Sequence, residues 1–401
     1  MAIKTVPTSW NRATNPAIED MEVVREGDKN GQGMVVRFTH SGGREVSVIS
    51  LPQHAHSRTG PTWAYLMDIQ GWTLVDAGPR GGLNALEEGL KALGRKVTDL
   101  ERVIISHGHQ DHDGNAYDLV KASGAELWAH DLYFQFLLYG HDRTGLNKDL
   151  PLHRAIYEIR AREEEGYRKQ SNSADHAYWH GYMQDYMAGH RNILEEKLPI
   201  HHIHDGDEMG DLRFLYTPGH AIDELCISLN GVIFTGDHIL PQITPHPTFK
   251  QTYPEAILHT IPAEYQESGE HYGLACYLKS LGKVLGLDHY TTVFPAHRLY
   301  NHNRFHIRNL QRAQDIVRHH VRRLDRVMEV IGEGADSPGK VAEKLFPPRK
   351  LTGNGFIAAV SEVVSHLEIL ADMGDIEVSQ DGGVRSNGTA NYLAEIQAMT
   401  A

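Results

Sequence analysis

The amino-acid sequence predicts an α/β layered fold, and two observations support that prediction. First, strand-like and helical segments alternate: Trp72 to Val75 is apolar and short, Leu83 to Leu93 repeats leucine at helical spacing, and Leu100 to Ile105 is again strand-like. Second, four apolar strands are followed at once by residues that can bind a metal. Alternation of this kind is typical of sheets covered by helices.

The composition narrows the class of protein. The chain has 401 residues, of which 40% are hydrophobic, enough for a large domain with an appendage or for two domains. Its formal net charge of −13 argues against a general nucleic-acid binder or a binder of anionic membranes. Two cysteines, no signal-like N-terminus and no apolar run of bilayer length favour a cytoplasmic protein.

The individual elements follow from hydrophobic periodicity and turn residues. Residues 1–30 are polar and are expected to form an irregular arm. Asn230-Gly231 predicts a tight two-residue hairpin between two strands. The expected strands are residues 35–38, 46–49, 63–67, 72–75, 100–105, 126–129, 212–216, 225–229, 232–235 and 290–294, and the first helices are 83–93 and 116–122.

Two further regions are expected to be helical. Residues 131–199 are too long for a plain loop, and helices are expected over 156–169 and 177–194. This insertion would shape a substrate pocket or a dimer contact, unless it is a purely structural helical pair. We expect a boundary at 302/303, giving domains 1–302 and 303–401. The second contains helices over 305–331, 337–346 and 356–373 and then a small hairpin, which is a winged-helix order.

The residues after the strands have the chemistry of a metal centre. His107-Gly108-His109-Gln110-Asp111-His112 follows one strand, and His220, Asp237 and His297 follow three others. In layered α/β folds strand ends gather along one edge, where sites are built. Neutral imidazoles and carboxylates suit zinc, with iron and manganese as alternatives.

The string from His107 to His112 resembles the His-x-His-x-Asp-His signature of the metallo-β-lactamase superfamily. Further segments match that family's motifs in chain order: Asp76-Ala77-Gly78, Thr217-Pro218-Gly219-His220, Thr235-Gly236-Asp237 and Pro295-Ala296-His297. The resemblance covers about residues 30–300, with 131–199 poorly matched. It implies an αββα sandwich, and the C-terminal extension is similar to that of the glyoxalase II-like and acyl-CoA-thioesterase-like branch.

The resemblance also implies roles for individual residues. Two divalent metal ions, zinc favoured, would share seven ligands: His107, His109 and His220 for one ion, Asp111, His112 and His297 for the other, and Asp237 bridging both. Asp111 would also act in catalysis by orienting the nucleophile and taking up its proton. Asp76 would orient a ligand or a loop. Candidates for substrate contact are His54, His56, His238 and His246, with an ordinary polar loop role as the alternative, and Tyr300, with a role in the linker to the C-terminal domain as the alternative.

The implied activity is that of a dinuclear hydrolase. A metal-bridging hydroxide would attack a thioester, lactone or activated ester, with an acyl-CoA-like thioester favoured. An endoribonuclease or phosphodiesterase on the same site is one alternative, and a mononuclear iron dioxygenase similar to the persulfide dioxygenases is another. His109 argues against the flavodiiron branch, which resembles this family but has Glu there. Retention of all seven ligands argues against a non-catalytic regulator.

The expected partners are a small-molecule substrate and a second copy of the chain in a homodimer. DNA binding is not expected, because the helix over 356–373 contains Glu362, Glu368 and Asp372 and no Lys or Arg. No membrane partner is expected either. A basic cluster on the preceding helix is either a solvated face or an anchor for a phosphate-bearing substrate: Arg318, Arg322, Arg323 and Arg326.

Overall fold

Two β-sheets stack face to face at the centre of the protein, whose computed structural model describes residues 13–53, 57, 59–139, 149–170, 173–253, 258–352 and 354–401. Buried apolar side chains from both sheets form the layer between them. Phe38 of one sheet lies 5.0 Å from Phe294 of the other, measured between ring centroids. Helices cover the outer face of each sheet, so the expected αββα order is confirmed.

The first sheet has eight strands in chain order: β1 (Ile18–Arg25), β2 (Val35–His40), β3 (Glu45–Leu51), β4 (Thr62–Asp68), β5 (Trp72–Val75), β6 (Leu100–Ile104), β7 (Glu126–His130) and β8 (Ile200–Ile203). Strands β1 to β5 pair antiparallel, and β5 to β8 pair parallel. The expectation of an irregular arm over 1–30 is wrong for β1. Its sequence is too polar to indicate a strand, and pairing with β2 orders it.

The second sheet has six strands in the order β16-β13-β12-β11-β10-β9. They are β9 (Glu208–Met209), β10 (Leu212–Tyr216), β11 (Leu225–Leu229), β12 (Val232–Phe234), β13 (Thr292–Phe294) and β16 (Arg308–Asn309); β14 (Tyr300–Asn301) and β15 (Arg304–Phe305) form a separate small hairpin. The predicted turn at Asn230-Gly231 is confirmed, and both residues have positive φ. Since β16 pairs with β13, the second sheet extends past the expected boundary at 302/303.

Ten helices are found in the described part of the chain: α1 (Leu83–Ala92), α2 (Ala116–Ser123), α3 (Asp131–Tyr139), α4 (Pro151–Gln170), α5 (Ser173–Glu195), α6 (Leu274–Leu285), α7 (Gln311–Gly332), α8 (Pro338–Leu345), α9 (Asn354–Asp372) and α10 (Asn391–Thr400). The helical insertion is therefore confirmed as α3 to α5. The expected C-terminal hairpin is β17 (Ile376–Val378) with β18 (Val384–Ser386). The winged-helix comparison stays a prediction. Helices α6 and α10 were not expected.

The insertion and the C-terminal region share one hydrophobic core. Leu152, Ile156 and Ile159 of α4 belong to the same buried cluster as Val360 and Val363 of α9. A buried polar contact joins these helices too, with the Nε2 atom of His153 2.6 Å from Oε1 of Glu368. Part of the insertion therefore lies against the C-terminal helices. Within the described residues, every helix is too short or too polar to cross a lipid bilayer.

Both cysteines are buried, one in the second sheet and one in helix α6, so their reactivity tests how tightly these elements pack. Cys226 lies in β11 and Cys276 in α6, and neither forms a disulfide. Burial raises the pKa of both thiols, that of Cys276 to about 12. The thiols therefore stay protonated at pH 8, where a thiolate is the reactive form. We expect no reaction of the native protein with Ellman's reagent and two equivalents after unfolding in guanidinium chloride. Rapid labelling of the native protein would contradict this packing.

Candidate metal centre

Five strand ends meet at one edge of the sandwich. Strands β5 and β6 run parallel, as do β12 and β13, and β10 runs in the direction of β12 because both pair antiparallel with β11. The turns that follow these strands contain Asp76, His107–His112, His220, Asp237 and His297. The chain order of the motifs is thereby converted into a single cluster of side chains.

His107, His109 and His220 form the first donor group. One nitrogen of each lies within 4.8 Å of the others. The Nε2 atom of His107 is 2.9 Å from Nδ1 of His109, and the ring of His220 lies edge-on to that of His109 at 4.9 Å between centroids. Three converging imidazole nitrogens are a common protein contribution to a tetrahedral zinc site.

Asp111, His112 and His297 form the second donor group, and their donor atoms also lie within 4.8 Å of one another. The Nε2 atom of His297 is 3.1 Å from Oδ2 of Asp111, and that of His112 is 3.9 Å from Oδ1. Burial would raise the pKa of Asp111, but the positive charge of His112 and the hydrogen bond with His297 outweigh it and lower that pKa. Asp111 is therefore a carboxylate at neutral pH.

Asp237 lies between the two donor groups and faces each with a different oxygen. Its Oδ1 atom is 3.7 Å from Nε2 of His112 and 3.4 Å from Nε2 of His297. Its Oδ2 atom is 3.6 Å from Nε2 of His220, which belongs to the first group. One carboxylate thus spans both groups, as the resemblance implies for a bridging ligand.

The donor atoms fit a pair of divalent cations. Within the described residues, Nε2 of His112, Nε2 of His220 and Oδ1 of Asp237 are buried and have no hydrogen-bond partner. A buried polar atom left without a partner costs about 1–3 kcal/mol, and coordination to a cation removes that cost. The mixture of imidazole nitrogens and carboxylate oxygens suits zinc, iron or manganese.

Asp76 orients one of these imidazoles. Its Oδ2 atom is 2.9 Å from Nδ1 of His112, and its Oδ1 atom accepts a 2.8 Å hydrogen bond from the amide of Ser106. A carboxylate can only accept here, so His112 donates from Nδ1 and turns Nε2 toward the centre. Burial alone would lower the pKa of His112, but the charges of Asp76 and Asp111 outweigh it and raise that pKa.

Backbone carbonyls orient two more imidazoles in the same way. Nδ1 of His220 is 2.8 Å from the carbonyl of His246, and Nδ1 of His297 is 3.1 Å from that of Pro61. Because a carbonyl only accepts, each Nδ1 donates and each Nε2 faces the centre. His246, expected to contact substrate, thus contacts a predicted ligand through its main chain.

Two adjacent carboxylates that the sequence analysis missed complete the surroundings of the first donor group. Glu224 is fully buried, accepts a 3.0 Å hydrogen bond from the amide of Asp237, and lies 3.5 Å from Nδ1 of His107. Burial raises the pKa of Glu224, and the nearby charge of Asp237 adds to this rise. Asp223 accepts a 2.8 Å hydrogen bond from the amide of Gly108. Their only sequence signal is an acidic pair directly before the apolar strand β11.

Helix α5 of the insertion contacts the loop after β6, residues 107–113, which we call the metal-binding loop. The contact is made through Asp113. This carboxylate is buried, accepts a 2.8 Å hydrogen bond from the hydroxyl of Tyr186, and lies 2.7 Å from Nε2 of His190. The Tyr186 hydroxyl also lies 3.4 Å from the carbonyl of Gly108. Tyr186 and His190 are one helical turn apart, which alone does not indicate their partner.

The structure corrects two of the expected substrate contacts. His238 is fully buried, its ring lies 5.2 Å from that of Tyr277 in α6, and burial lowers its pKa to about 3. Tyr300 is also buried, against Phe305. The side chain of His238 packs against α6 and that of Tyr300 packs within the β14–β15 hairpin, so both are core residues. The order of the motifs in the sequence does not indicate this packing. The other two, His54 and His56, lie outside the described residues.

The basic cluster on α7 is largely paired with carboxylates. Arg318 forms an ion pair with Asp315, Arg326 one with Glu329, and Arg323 lies 3.0 Å from Glu362 of α9. Three of the four arginines thus have an acidic neighbour. This arrangement favours the solvated-face interpretation over a phosphate anchor.

The sequence model of the metallo-beta-lactamase superfamily matches residues 57–297, which include all seven predicted ligands and more than half of the chain. The chain belongs to this superfamily.

Curated relatives match over short segments. The probable metallo-hydrolase YqjP of Bacillus subtilis is 40% identical over 57 residues, covering 14% of this chain and 18% of that protein. A UPF0173 metal-dependent hydrolase of Anaeromyxobacter sp. (strain K) is 32% identical over 104 residues, covering 24% of this chain and 37% of that protein. The matched segments thus span well under half of either relative.

Solved structures show the same fold over most of the chain. A metallo-beta-lactamase family protein from Thermus thermophilus superposes with a TM-score of 0.55 at 19% identity, covering 85% of this chain and 98% of its own. A beta-lactamase domain protein from Burkholderia ambifaria gives 0.57 at 21% identity, covering 85% and 92%. At this level of identity the likeness shows the fold alone.

Replacing Asp76 with asparagine tests the orienting contact to His112. The amide keeps the size of the side chain but cannot accept hydrogen bonds with both of its terminal atoms. We expect Asp76→Asn to weaken zinc affinity by about 10- to 100-fold, measured by competition with a chromogenic chelator. Asp211→Asn, at an exposed surface ion pair with Arg44, is the matched control. Wild-type affinity in Asp76→Asn would show that the contact is dispensable.

Removing His190 tests the link between α5 and the metal-binding loop. His190→Ala takes the imidazole away from the buried Asp113 carboxylate, and removing one partner of a buried acceptor costs about 1–3 kcal/mol. We expect a fall of that size in the free energy of unfolding by urea. Tyr186→Phe, which removes one hydrogen bond, should cost about 1 kcal/mol. The exposed Arg191→Ala is the control, and a change in His190→Ala as small as the control's would refute the link.

Proposed function

We propose that this protein is a metal-dependent hydrolase that uses two divalent cations to cleave a thioester, lactone or activated ester of a small molecule, with an acyl-CoA-like thioester favoured. The observation that supports this most directly is the position of Asp237, which faces the first donor group with one oxygen and the second with the other. Membership of the superfamily and the similarity to metal-dependent hydrolases support the same reaction class.

The proposed ligands divide as the geometry groups them. His107, His109 and His220 would hold one cation, Asp111, His112 and His297 the other, and Asp237 both. Zinc is favoured for both positions, with iron or manganese as alternatives. When bound, such a pair of cations supplies Lewis acidity for a carbonyl oxygen and lowers the pKa of a coordinated water.

The burial of the ligands indicates the side from which a substrate approaches. His107, His112 and His297 are fully buried, whereas His109 and His220 are partly exposed. The substrate carbonyl would therefore arrive over the open side of the cluster. The buried imidazoles of His107, His112 and His297 lie on the opposite, interior side of the cluster, where the protein core shields them from water.

Asp111 stands on the open side and is held there by two neighbours. Its Oδ2 atom accepts a 2.6 Å hydrogen bond from Nε2 of Gln53, and its carbonyl accepts a 2.9 Å hydrogen bond from the hydroxyl of Thr62. Its side chain is 24% exposed, so the carboxylate can contact a water molecule. We assign it the role of accepting a hydrogen bond from the attacking water and taking up its proton.

The leaving group and the net charge favour a carbonyl substrate. Thiolates and the alkoxides of activated esters need little protonation when they depart, which suits a site whose imidazoles would all be taken up as metal ligands. A phosphodiester polymer would approach a chain of formal net charge −13 against electrostatic repulsion.

A substrate panel tests the proposal. Zinc-, manganese- and iron-loaded protein is assayed with acyl-CoA thioesters, lactones, p-nitrophenyl esters and single-stranded RNA. We expect hydrolysis in the carbonyl panels, strongest for thioesters, and loss of activity together with loss of bound metal in Asp237→Asn. Asp211→Asn is again the control. Cleavage of RNA alone, or full activity and metal content in Asp237→Asn, would overturn the proposal.

A further inference from the structure

Arg312 of the C-terminal helix α7 holds the loop that follows the bridging carboxylate. Its Nε atom donates a 2.8 Å hydrogen bond to the carbonyl of Leu240, and its Nη2 atom donates a 3.0 Å hydrogen bond to that of Ile243. The two carbonyls lie three residues apart, and the planar fork of the guanidinium reaches both at once. We define the site loop as residues 238–250.

The site loop in turn contacts the turn that contains His220. The carbonyl of His246 accepts the 2.8 Å hydrogen bond from Nδ1 of His220 already described, and the amide of Thr248 donates a 2.6 Å hydrogen bond to the carbonyl of Gly219. The first contact fixes the tautomer and the orientation of the His220 ring, and the second holds the main chain directly before it. The position of the site loop therefore decides where Nε2 of His220 lies.

Glu368 of α9 fixes the far end of the same loop. The amide of Lys250 donates to its carboxylate at 3.1 and 3.3 Å, and Nε2 of His153 from the insertion lies 2.6 Å from Oε1. Glu368 is only 6% exposed, so these contacts are shielded from water. The loop is thus anchored at both ends by the C-terminal region.

The second donor group is oriented by other parts of the chain. Nδ1 of His112 meets Asp76 after β5, and Nδ1 of His297 meets the carbonyl of Pro61 before β4. Neither contact involves the site loop, α7 or α9. Among the contacts described, the site loop reaches the second half of the centre only through Gln242, whose Oε1 atom accepts a 2.8 Å hydrogen bond from Nδ2 of Asn301, and through Asp237 before it. A disturbance of the site loop should therefore weaken the first donor group more than the second.

From this asymmetry we propose that Arg312 and Glu368 are positioning residues for one of the two metal sites, the one formed by His107, His109 and His220. The C-terminal region then belongs to the functional centre and does more than cover the sandwich. This inference rests on the metal centre proposed above. It adds that two residues outside the ligand set, Arg312 and Glu368, position the ligands of one half of that centre.

Cobalt titration tests the inference without using activity, because cobalt substitutes for zinc and its visible absorption reports each bound equivalent. We expect wild-type protein to take up two equivalents. Arg312→Met should bind one equivalent about 10- to 100-fold more weakly, with the larger change in the absorption spectrum for that equivalent. Arg312→Lys keeps the positive charge but not the planar guanidinium, so its affinity for that equivalent should lie between those of the wild type and Arg312→Met. Glu368→Gln should weaken binding of the same equivalent.

Arg318→Met is the matched control, since Arg318 lies on the same helix but is exposed and paired with Asp315. If Arg312→Met does not fold, Arg312→Lys and Glu368→Gln decide, with the melting temperature of the metal-free variants recorded alongside. Wild-type binding in these variants, or equal weakening of both equivalents, overturns the inference. Asp237→Asn separates this failure from failure of the proposed centre, because wild-type cobalt binding in that variant would refute the centre itself.

Discussion

In the proposed metal centre, the electrostatics at Asp237 constrain the rest of the structure. Two divalent cations a few ångströms apart repel each other strongly unless an anion lies between them, and the Asp237 carboxylate faces both donor groups from that position. For one carboxylate to do this, the ends of β6, β10, β12 and β13 must converge within a few ångströms. These strands come from different sheets, so the stacking of the sheets sets the geometry of the centre.

The convergence of the strand ends does not by itself orient the donor atoms. Hydrogen bonds with surrounding residues orient them. His112 donates from Nδ1 to Asp76, His220 to the carbonyl of His246, and His297 to that of Pro61. Each acceptor belongs to a different segment of the chain. The metal-binding motif therefore supplies the donors, while the fold decides which nitrogen each one presents.

The predicted donors lie together because each directly follows an apolar strand, and that relation can be observed in the sequence. Arg312 and Glu224 could not be found in this way. Arg312 binds two carbonyls 72 and 69 residues earlier in the chain, and Glu224 binds the main-chain amide of Asp237, which leaves no pattern in the sequence. His238 and Tyr300 follow the same motifs as the ligands, yet helix α6 and the β14–β15 hairpin bury them. Burial by distant elements leaves no local signal, so residues beside a motif are placed less reliably than residues within it.

In the proposed centre one carboxylate, Asp237, joins two metal-binding groups. Anomalous diffraction from crystals grown with zinc, recorded on both sides of the absorption edge, tests this most directly. We expect two peaks per chain, one beside His107, His109 and His220, the other beside Asp111, His112 and His297, with Asp237 in contact with both. A single peak at full occupancy, or two peaks of which one lies away from Asp237, would contradict it.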